Sequence, residues 1–344
     1  MKACFFRHSL LSRGGDKMVV EYANHLTSQG HDAVILTNIV DTIFDVRTRI
    51  EKISGSTTKT GTIINALFKK RDYDVIVADI IMMNFFLSFR NRKKLLCFAQ
   101  DYDESYYKGF FMKMLIRAVY FYCLRILKIP VIAVSDELGE LLRKRFNADV
   151  SVVRNGIDTD VFYPDRDEKY RSLKSNSKVI LVFARSDYRK GFDIAIQVLS
   201  NFRNDIDNGN ISVWAIGEDI DVPFKIRKFG FVPPDELRRI LSCSDVLLYP
   251  SRHEGLPLFV LEAMACGCPV VTTKAVKFVK NHTDALQSKV EDVKSLVDLV
   301  ATLINNENIG SKIMQEAFET VKRFNIKHSM NMFENDLSTK TEKN

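Results

Sequence analysis

Short apolar runs rich in β-branched residues recur along the chain, each leading into a segment with helical spacing. This alternation restricts the fold more than any other feature. In the first half the runs are residues 33–37, 75–78, 95–99, 131–134 and 151–153. The second half supplies 179–184, 211–216, 246–249 and 269–272. Strands that are apolar at every position are buried on both faces, the condition of parallel strands covered by helices. Residues 17–29, 192–202 and 234–242 carry the helical periodicity of such covers. The pattern therefore predicts an α/β chain with parallel sheets, twice over. A length of 344 residues agrees, because one core rarely keeps growing to that size. The boundary is expected in the polar stretch 163–178, and residues 325–344 are expected to end in a polar, frayed tail.

Composition excludes little. With 46% hydrophobic and 27% charged residues the chain has ample apolar material for two cores, and a net charge of +7 does not by itself call for nucleic acid. The chain opens MKACFF without a long apolar segment, so a secretory signal is not expected. The most apolar stretch, 118–134, is broken by Arg125, Lys128 and Pro130 and is too short and charged for a membrane span. Cys4, Cys97, Cys123, Cys243, Cys266 and Cys268 lack metal-ligand spacing and mostly sit in apolar runs. Buried free thiols and a cytoplasmic setting are expected.

Several loops carry candidate chemistry. Gly14-Gly15 lies between the first strand and a helix, where bare backbone admits an anion or a sugar; a turn needing positive φ is an equal alternative. Asn155-Gly156-Ile157-Asp158 follows a strand and, by itself, reads as a simple turn, since Asn-Gly is a common one. Arg185 ends an apolar strand, and Lys190-Gly191 opens a helix five residues later. Two cations beside a helix start suit a diphosphate, although a solvated charged loop is the commoner fate of such residues.

The segment from Tyr249 to Pro269 is the most informative. Pro257 suits the first turn of a helix, Leu258, Leu261 and Glu262 have helical spacing, and Gly267 stops it. Glu254 then stands in the entry loop and Glu262 about one and a half turns inside. The helix N-terminus between them offers N–H groups to a phosphate. A carboxylate on each side can accept hydroxyls from a ribose and from a sugar. The alternative is a dipole-complementing Glu254 and an ordinary exposed Glu262, which leaves the small residues Ala263, Ala265 and Gly267 unexplained. Asp101-Tyr102-Asp103 has a D-x-D spacing, but without a second acidic cluster it does not predict a metal site.

Taken in order, these motifs resemble glycosyltransferase family 4 across nearly the whole chain. The resemblance rests on Gly14-Gly15, Gly30-His31, Asn155 to Asp158 with Phe162, Arg185 with Lys190-Gly191, Gly217, Gly230, and Glu254 to Glu262. It implies the GT-B architecture, two Rossmann-like domains facing across a cleft. Residues 1–165 would be the acceptor domain and 166–322 the nucleotide-sugar domain, with 323–344 a helix or tail packing back on the first. It further implies retaining transfer from a UDP-, GDP- or dTDP-sugar, with no cofactor and no metal. Arg185 and Lys190 would clamp the diphosphate, Glu254 would contact the transferred sugar, and Glu262 the ribose. Gly14, Gly15, Asn155, Gly217, Val232, His253, Gly255, Leu256 and Pro257 would complete the donor site. Many family members place a histidine after the fourth N-terminal strand. Here the stretch runs Gln100-Asp101-Tyr102-Asp103-Glu104, and Asp101 or Gln100 would position the acceptor instead. The loop after Thr272 departs as well, with a lysine-rich 274–280 where glycines are usual.

Residues 108–128 mix Lys and Arg with Phe110, Phe111, Met114, Leu115, Tyr120 and Phe121, and Arg90, Arg92, Lys93 and Lys94 precede them. This composition fits either a peripheral helix on anionic lipid at the inner face of a membrane or a core helix with snorkelling cations. On the first reading the acceptor is a lipid-linked saccharide in cell-surface polysaccharide synthesis, and no nucleic acid is expected. Competing functions are a nucleotide-sugar epimerase of the same architecture and a non-catalytic nucleotide-sugar-binding module. A nicotinamide dehydrogenase ranks last, because the G-x-G-x-x-G fingerprint is missing.

Overall fold

The computed structural model describes residues 1–342 and divides the chain into two compact units, Met1–Asn155 with Ile326–Asn344, and Gly156–Asn325. The division falls at residue 155, ahead of the boundary expected near 165.

The first unit holds a seven-stranded parallel sheet: β1 (Lys2–Phe6), β2 (Asp32–Leu36), β3 (Arg49–Glu51), β4 (Val75–Ala78), β5 (Leu95–Ala99), β6 (Val131–Ala133) and β7 (Val150–Val152). They lie in the order β3-β2-β1-β4-β5-β6-β7. Between them run α1 (Gly14–Ser28), α2 (Lys59–Phe68), α3 (Ile81–Asn91), α4 (Phe110–Tyr120) and α5 (Asp136–Phe146). β4 and β5 coincide with the expected runs, because strands buried at every residue announce themselves in sequence. α4 continues through a π-helical turn, Phe121–Ile126.

The second unit repeats the plan with six parallel strands: β8 (Lys178–Ala184), β9 (Ile211–Gly217), β10 (Arg227–Gly230), β11 (Val246–Tyr249), β12 (Val270–Thr273) and β13 (Leu286–Ser288). Their order is β10-β9-β8-β11-β12-β13. Among its helices, α6 (Phe192–Ser200) and α7 (Pro234–Cys243) fall where the periodicity places them, and α8 (Leu258–Ala265) is buried at every position.

At the C-terminus the polar composition misleads: residues expected to fray form α9 (Ile326–Glu342), a helix of the first unit, where the family resemblance puts a helix or tail. Ile326, Phe333 and Leu337 share one face and are buried, while the remaining positions are largely polar. Phe333 stacks on Tyr22 with ring centroids 4.1 Å apart and meets the edge of Phe98 at 5.5 Å. Glu334 receives His25 Nε2 and His31 Nε2, each at 2.9 Å. Three apolar positions, the Glu334 clasp and a hydrogen bond from Ser151 Oγ to Asp336 dock a helix whose composition reads as solvent-exposed. Residues 343 and 344 of the expected tail lie outside the described residues. All six cysteines are free and buried.

Candidate active site

Each sheet reverses its strand order once, between β1 and β4 in the first unit and between β8 and β11 in the second. In parallel sheets the chain diverges at such a point beyond the strand C-termini and leaves room for ligands. The candidate residues collect at these two places, and each unit is described on its own.

In the second unit β8 delivers Arg185 and a short turn, Tyr188–Lys190. Asp187 caps that turn by accepting from Arg189 N at 3.0 Å and pairs with the Arg189 guanidinium at 2.6 Å. Burial works against the Asp187 charge, but Arg189's hydrogen bond and charge outweigh it and hold the carboxyl below its usual range. Gly191 follows at φ +68°, and a Cβ there would collide with the Pro250 carbonyl oxygen. Only glycine lets this turn press against the loop after β11. Arg252 N donates to Arg189 O at 2.7 Å, so the two loops behave as one piece. Arg252 itself grips Asp193 through both terminal nitrogens at 2.7 Å, reaches Glu291 at 2.7 Å and stacks over Tyr188.

That joined loop pair brings Lys190 onto Glu254, 64 residues away. Lys190 Nζ lies 2.9 and 2.8 Å from the two carboxylate oxygens. Tyr249 Oη donates to Glu254 Oε1 at 2.8 Å; burial and the Glu254 charge push the Tyr249 hydroxyl well above its usual range, so it remains a donor. Ser251 Oγ lies 2.7 Å from the same oxygen and 2.8 Å from Arg189 O, and its single proton serves one of them. The Glu254 side chain is 5% exposed. His253, Gly255, Leu256 and Pro257 carry the chain from this carboxylate into α8, whose first turn holds no acidic residue. Glu262, the fifth of the eight residues of α8, is 5% exposed, which overturns the alternative of an ordinary exposed Glu.

Arg185 stands across the switch point from this pair. Its Nε lies 3.0 Å from Glu218 Oε1, and its guanidinium is 5.5 Å from the ring of Phe231, which precedes the buried Val232. Gly217 ends β9 at φ +119°, against the end of β8.

In the first unit Gly14 and Gly15 form the first turn of α1, and neither has a positive φ. The alternative of a left-handed turn is therefore withdrawn. A Cβ at residue 15 would stand 2.9 Å from Gln100 Oε1, so any larger residue there would push the Gln100 amide aside. Gln100 Nε2 donates to Gly15 O at 3.1 Å and to Asp79 Oδ2 at 3.3 Å. Arg7 completes the cluster, 2.6 Å from Asp16 and 3.4 Å from Asp79. Both contacts of Nε2 are acceptors, which fixes the amide orientation and leaves Oε1 as the presented atom. Asp101 instead accepts from its neighbour Tyr102 N at 2.8 Å, and Asp103 caps α3 by accepting from Ile81 N at 2.7 Å. Among the described residues no group of three or more His, Cys, Asp or Glu is placed to hold a metal. Asn155 is not in a tight turn; it lies in the extended crossing out of the first unit, buried, with its Oδ1 unpaired among the described residues.

Sequence reasoning did not single out Arg7, Asp79, Arg189 or Arg252. Asp79 directly follows β4 at the switch point, a position that topology alone marks once the strand order is known.

Comparison with known proteins decides the family. The model for Glycosyltransferase Family 4 matches residues 12–161, and that for Glycosyl transferases group 1 matches 177–306. The chain belongs to glycosyltransferase family 4. Among its curated relatives in the glycosyltransferases is the Escherichia coli UDP-Gal:alpha-D-GlcNAc-diphosphoundecaprenol alpha-1,3-galactosyltransferase, 28% identical over 57% of this chain and 56% of that protein. The chain spans about half the length of the curated relatives it matches. Solved structures share the GT-B fold over nearly the whole chain. Sucrose-phosphate synthase from Thermosynechococcus elongatus matches with a TM-score of 0.82 at 14% identity, covering 98% of this chain and 99% of that one. Anabaena HepE in complex with UDP-glucose matches with a TM-score of 0.79 at 16% identity, covering 98% of this chain and all of that one. At these identities the likeness establishes the family 4 fold and nothing about ligands.

Proposed function

We propose that this family 4 protein is a retaining, metal-independent glycosyltransferase. It moves a hexosyl or deoxyhexosyl group from a nucleotide-diphosphate donor to a saccharide or lipid-linked saccharide in cell-surface polysaccharide synthesis. The reading is carried by one observation: the Lys190–Glu254 pair set beside the N-terminus of α8. A diphosphate leaving group needs fixed positive charge where its own charge grows, and Lys190, Arg185 and the helix N-terminus supply it without a metal. Glu254, held by Tyr249 and Ser251, offers an acceptor oxygen to a sugar hydroxyl, and the buried Glu262 offers one to the ribose. The leaving phosphate takes the acceptor's proton in a front-face displacement, which accounts for a site without a nucleophile–base pair.

On the acceptor side, Gln100 presents Oε1 to an incoming hydroxyl, with Asp79 and Gly15 fixing the amide. The chain works at the inner face of a membrane, in contact through residues 108–128. The names of two similar proteins support the reading: the E. coli enzyme uses a UDP-sugar and a lipid-diphosphate acceptor, and HepE is seen with UDP-glucose.

A thermal-shift screen of UDP, GDP and dTDP with their sugars tests the donor half. One nucleotide is expected to raise Tm selectively, since ligand at a hundred times Kd stabilises by about 2.7 kcal/mol. No shift with any of them refutes the reading, and donor turnover to a free epimer without an acceptor would favour an epimerase. For the acceptor half, Gln100→Ala is expected to lower transfer about ten-fold or more with unchanged donor binding, the loss of one charge-neutral hydrogen bond and its fixed geometry. Unchanged acceptor kinetics would remove Gln100 from the site.

A further inference from the structure

α4 and its π-helical continuation are apolar on two opposite faces, and only one of these is covered. Ile116, Val119, Tyr120 and Cys123 turn inward and are buried. Phe110 and Phe111, 72% and 79% exposed, begin an outer stripe that continues through Met114, Leu115, Phe121 and Ile126, all exposed. Their spacing keeps them on one side for about 25 Å of helix. Soluble chains rarely leave a contiguous apolar surface of this extent open. The helix is also fastened in place, since Arg117 Nε holds Glu104 at 2.6 Å.

The neighbouring helices extend the same surface. α2, α3 and α4 follow successive crossovers that move along the sheet in one direction, from β3 to β4, β5 and β6. Right-handed connections of that kind place all three on one side of it. Their C-terminal ends are hydrogen-bonded together. Asn91 accepts from Arg71 N at 2.9 Å and donates to Lys69 O at 3.0 Å, and Arg92 donates to Leu127 O at 3.3 Å. Exposed Phe68 and Phe89 thereby join the rim of the stripe.

Charge identifies the occupant. Residues 59–135 contain thirteen Lys and Arg against six Asp and Glu, a net +7 that equals the charge of the whole chain. Cations at helix C-termini complement the dipole, which explains Lys69, Arg90 and Arg125. It does not explain Lys113, in the first turn of α4 where a dipole disfavours it.

We infer that α2, α3 and α4 form one docking surface for an anionic lipid bilayer, with the aromatic stripe of α4 lying in the headgroup boundary and the surrounding amines on lipid phosphates. This widens the 108–128 contact of the proposed function to three helices. It rests on that reading only for what the contact serves, because the binding itself needs no sugar. No described helix is long and apolar enough to cross a membrane, so the surface lies on the bilayer.

Full-length protein is sedimented with vesicles of phosphatidylcholine alone and with about one-third phosphatidylglycerol, at low and high salt. Binding is expected on the anionic vesicles, weakening with salt. Phe110→Ser with Phe111→Ser is expected to lower partitioning ten-fold or more, and Lys69→Glu with Lys70→Glu to weaken it several-fold, with unchanged thermal unfolding. Equal affinity for both vesicles, or full binding by the aromatic variant, overturns the inference. So does self-association in size exclusion that the aromatic variant abolishes, since the stripe then meets a second copy of the chain. Full binding by the α2 variant overturns the three-helix surface. Nucleotide-induced thermal shifts, measured on the same variants, report separately on the donor site.

Discussion

Replacing Glu254 with glutamine is expected to lower sugar transfer by about 100-fold or more, the range seen when one preorganised polar group is removed from a charge-developing site. The carboxylate accepts from Lys190, from Tyr249 and, by distance, from Ser251. A glutamine amide keeps the shape but turns one N–H₂ toward either the Lys190 ammonium or the Tyr249 hydroxyl, and each of those is itself a donor. The loop then shifts or Lys190 swings away, and the proposed diphosphate site loses its fixed cation. Lys190→Ala should cost a comparable factor and in addition leaves Glu254 buried without its counter-charge. Lys190 is partly exposed, which softens the effect on folding, so turnover should fall much further than Tm. Donor turnover and thermal unfolding of both variants check this. Near-normal turnover in both would remove the pair from the chemistry.

Phe333→Ala is expected to destabilise the chain by about 3–5 kcal/mol, the usual cost of emptying an aromatic site in a well-packed core. Phe333 is 0% exposed and lies between Tyr22 of α1 and Phe98 of β5, two elements far from it in sequence. Its loss leaves a void that neither ring can fill without moving a strand. A denaturant midpoint lowered at unchanged slope would show this. A change below about 1 kcal/mol would mean that α9 is held by its Glu334 clasp rather than by the ring.

The two variants probe what was and was not legible in the sequence. Buried parallel strands announce themselves because every residue is apolar, so 75–78, 95–99 and 246–249 match to the residue. α9 does not, because three apolar positions suffice to dock it and the rest are polar. The candidate loops of the second unit were visible as motifs, since glycine, proline and charge at strand ends are local signals. Their union was not. That Lys190 rests on Glu254 depends on Gly191 pressing against Pro250, a contact across 59 residues that no local pattern encodes. The Arg7–Asp79–Gln100 cluster was hidden for the same reason: its members directly follow three different strands, and only the strand order makes them neighbours.

The return of α9 to the first unit has a further consequence. The chain leaves that unit once, after Asn155, and re-enters it at Ile326. Where the second unit begins and ends, Ile157 N donates to Phe324 O at 2.8 Å and Ile157 bridges Asn325. Its entry and exit segments meet there in a single parallel bridge. Residues 156–325 are therefore built as an insert with adjoining ends, a cassette whose replacement by the matching portion of a relative creates no new terminus and opens no gap in its host. A fragment cut at residue 155 would, by contrast, lack the helix that closes its own core. On the proposed reading, donor choice can diverge by exchange of such a cassette, while Gln100 and the helices around it stay with the host.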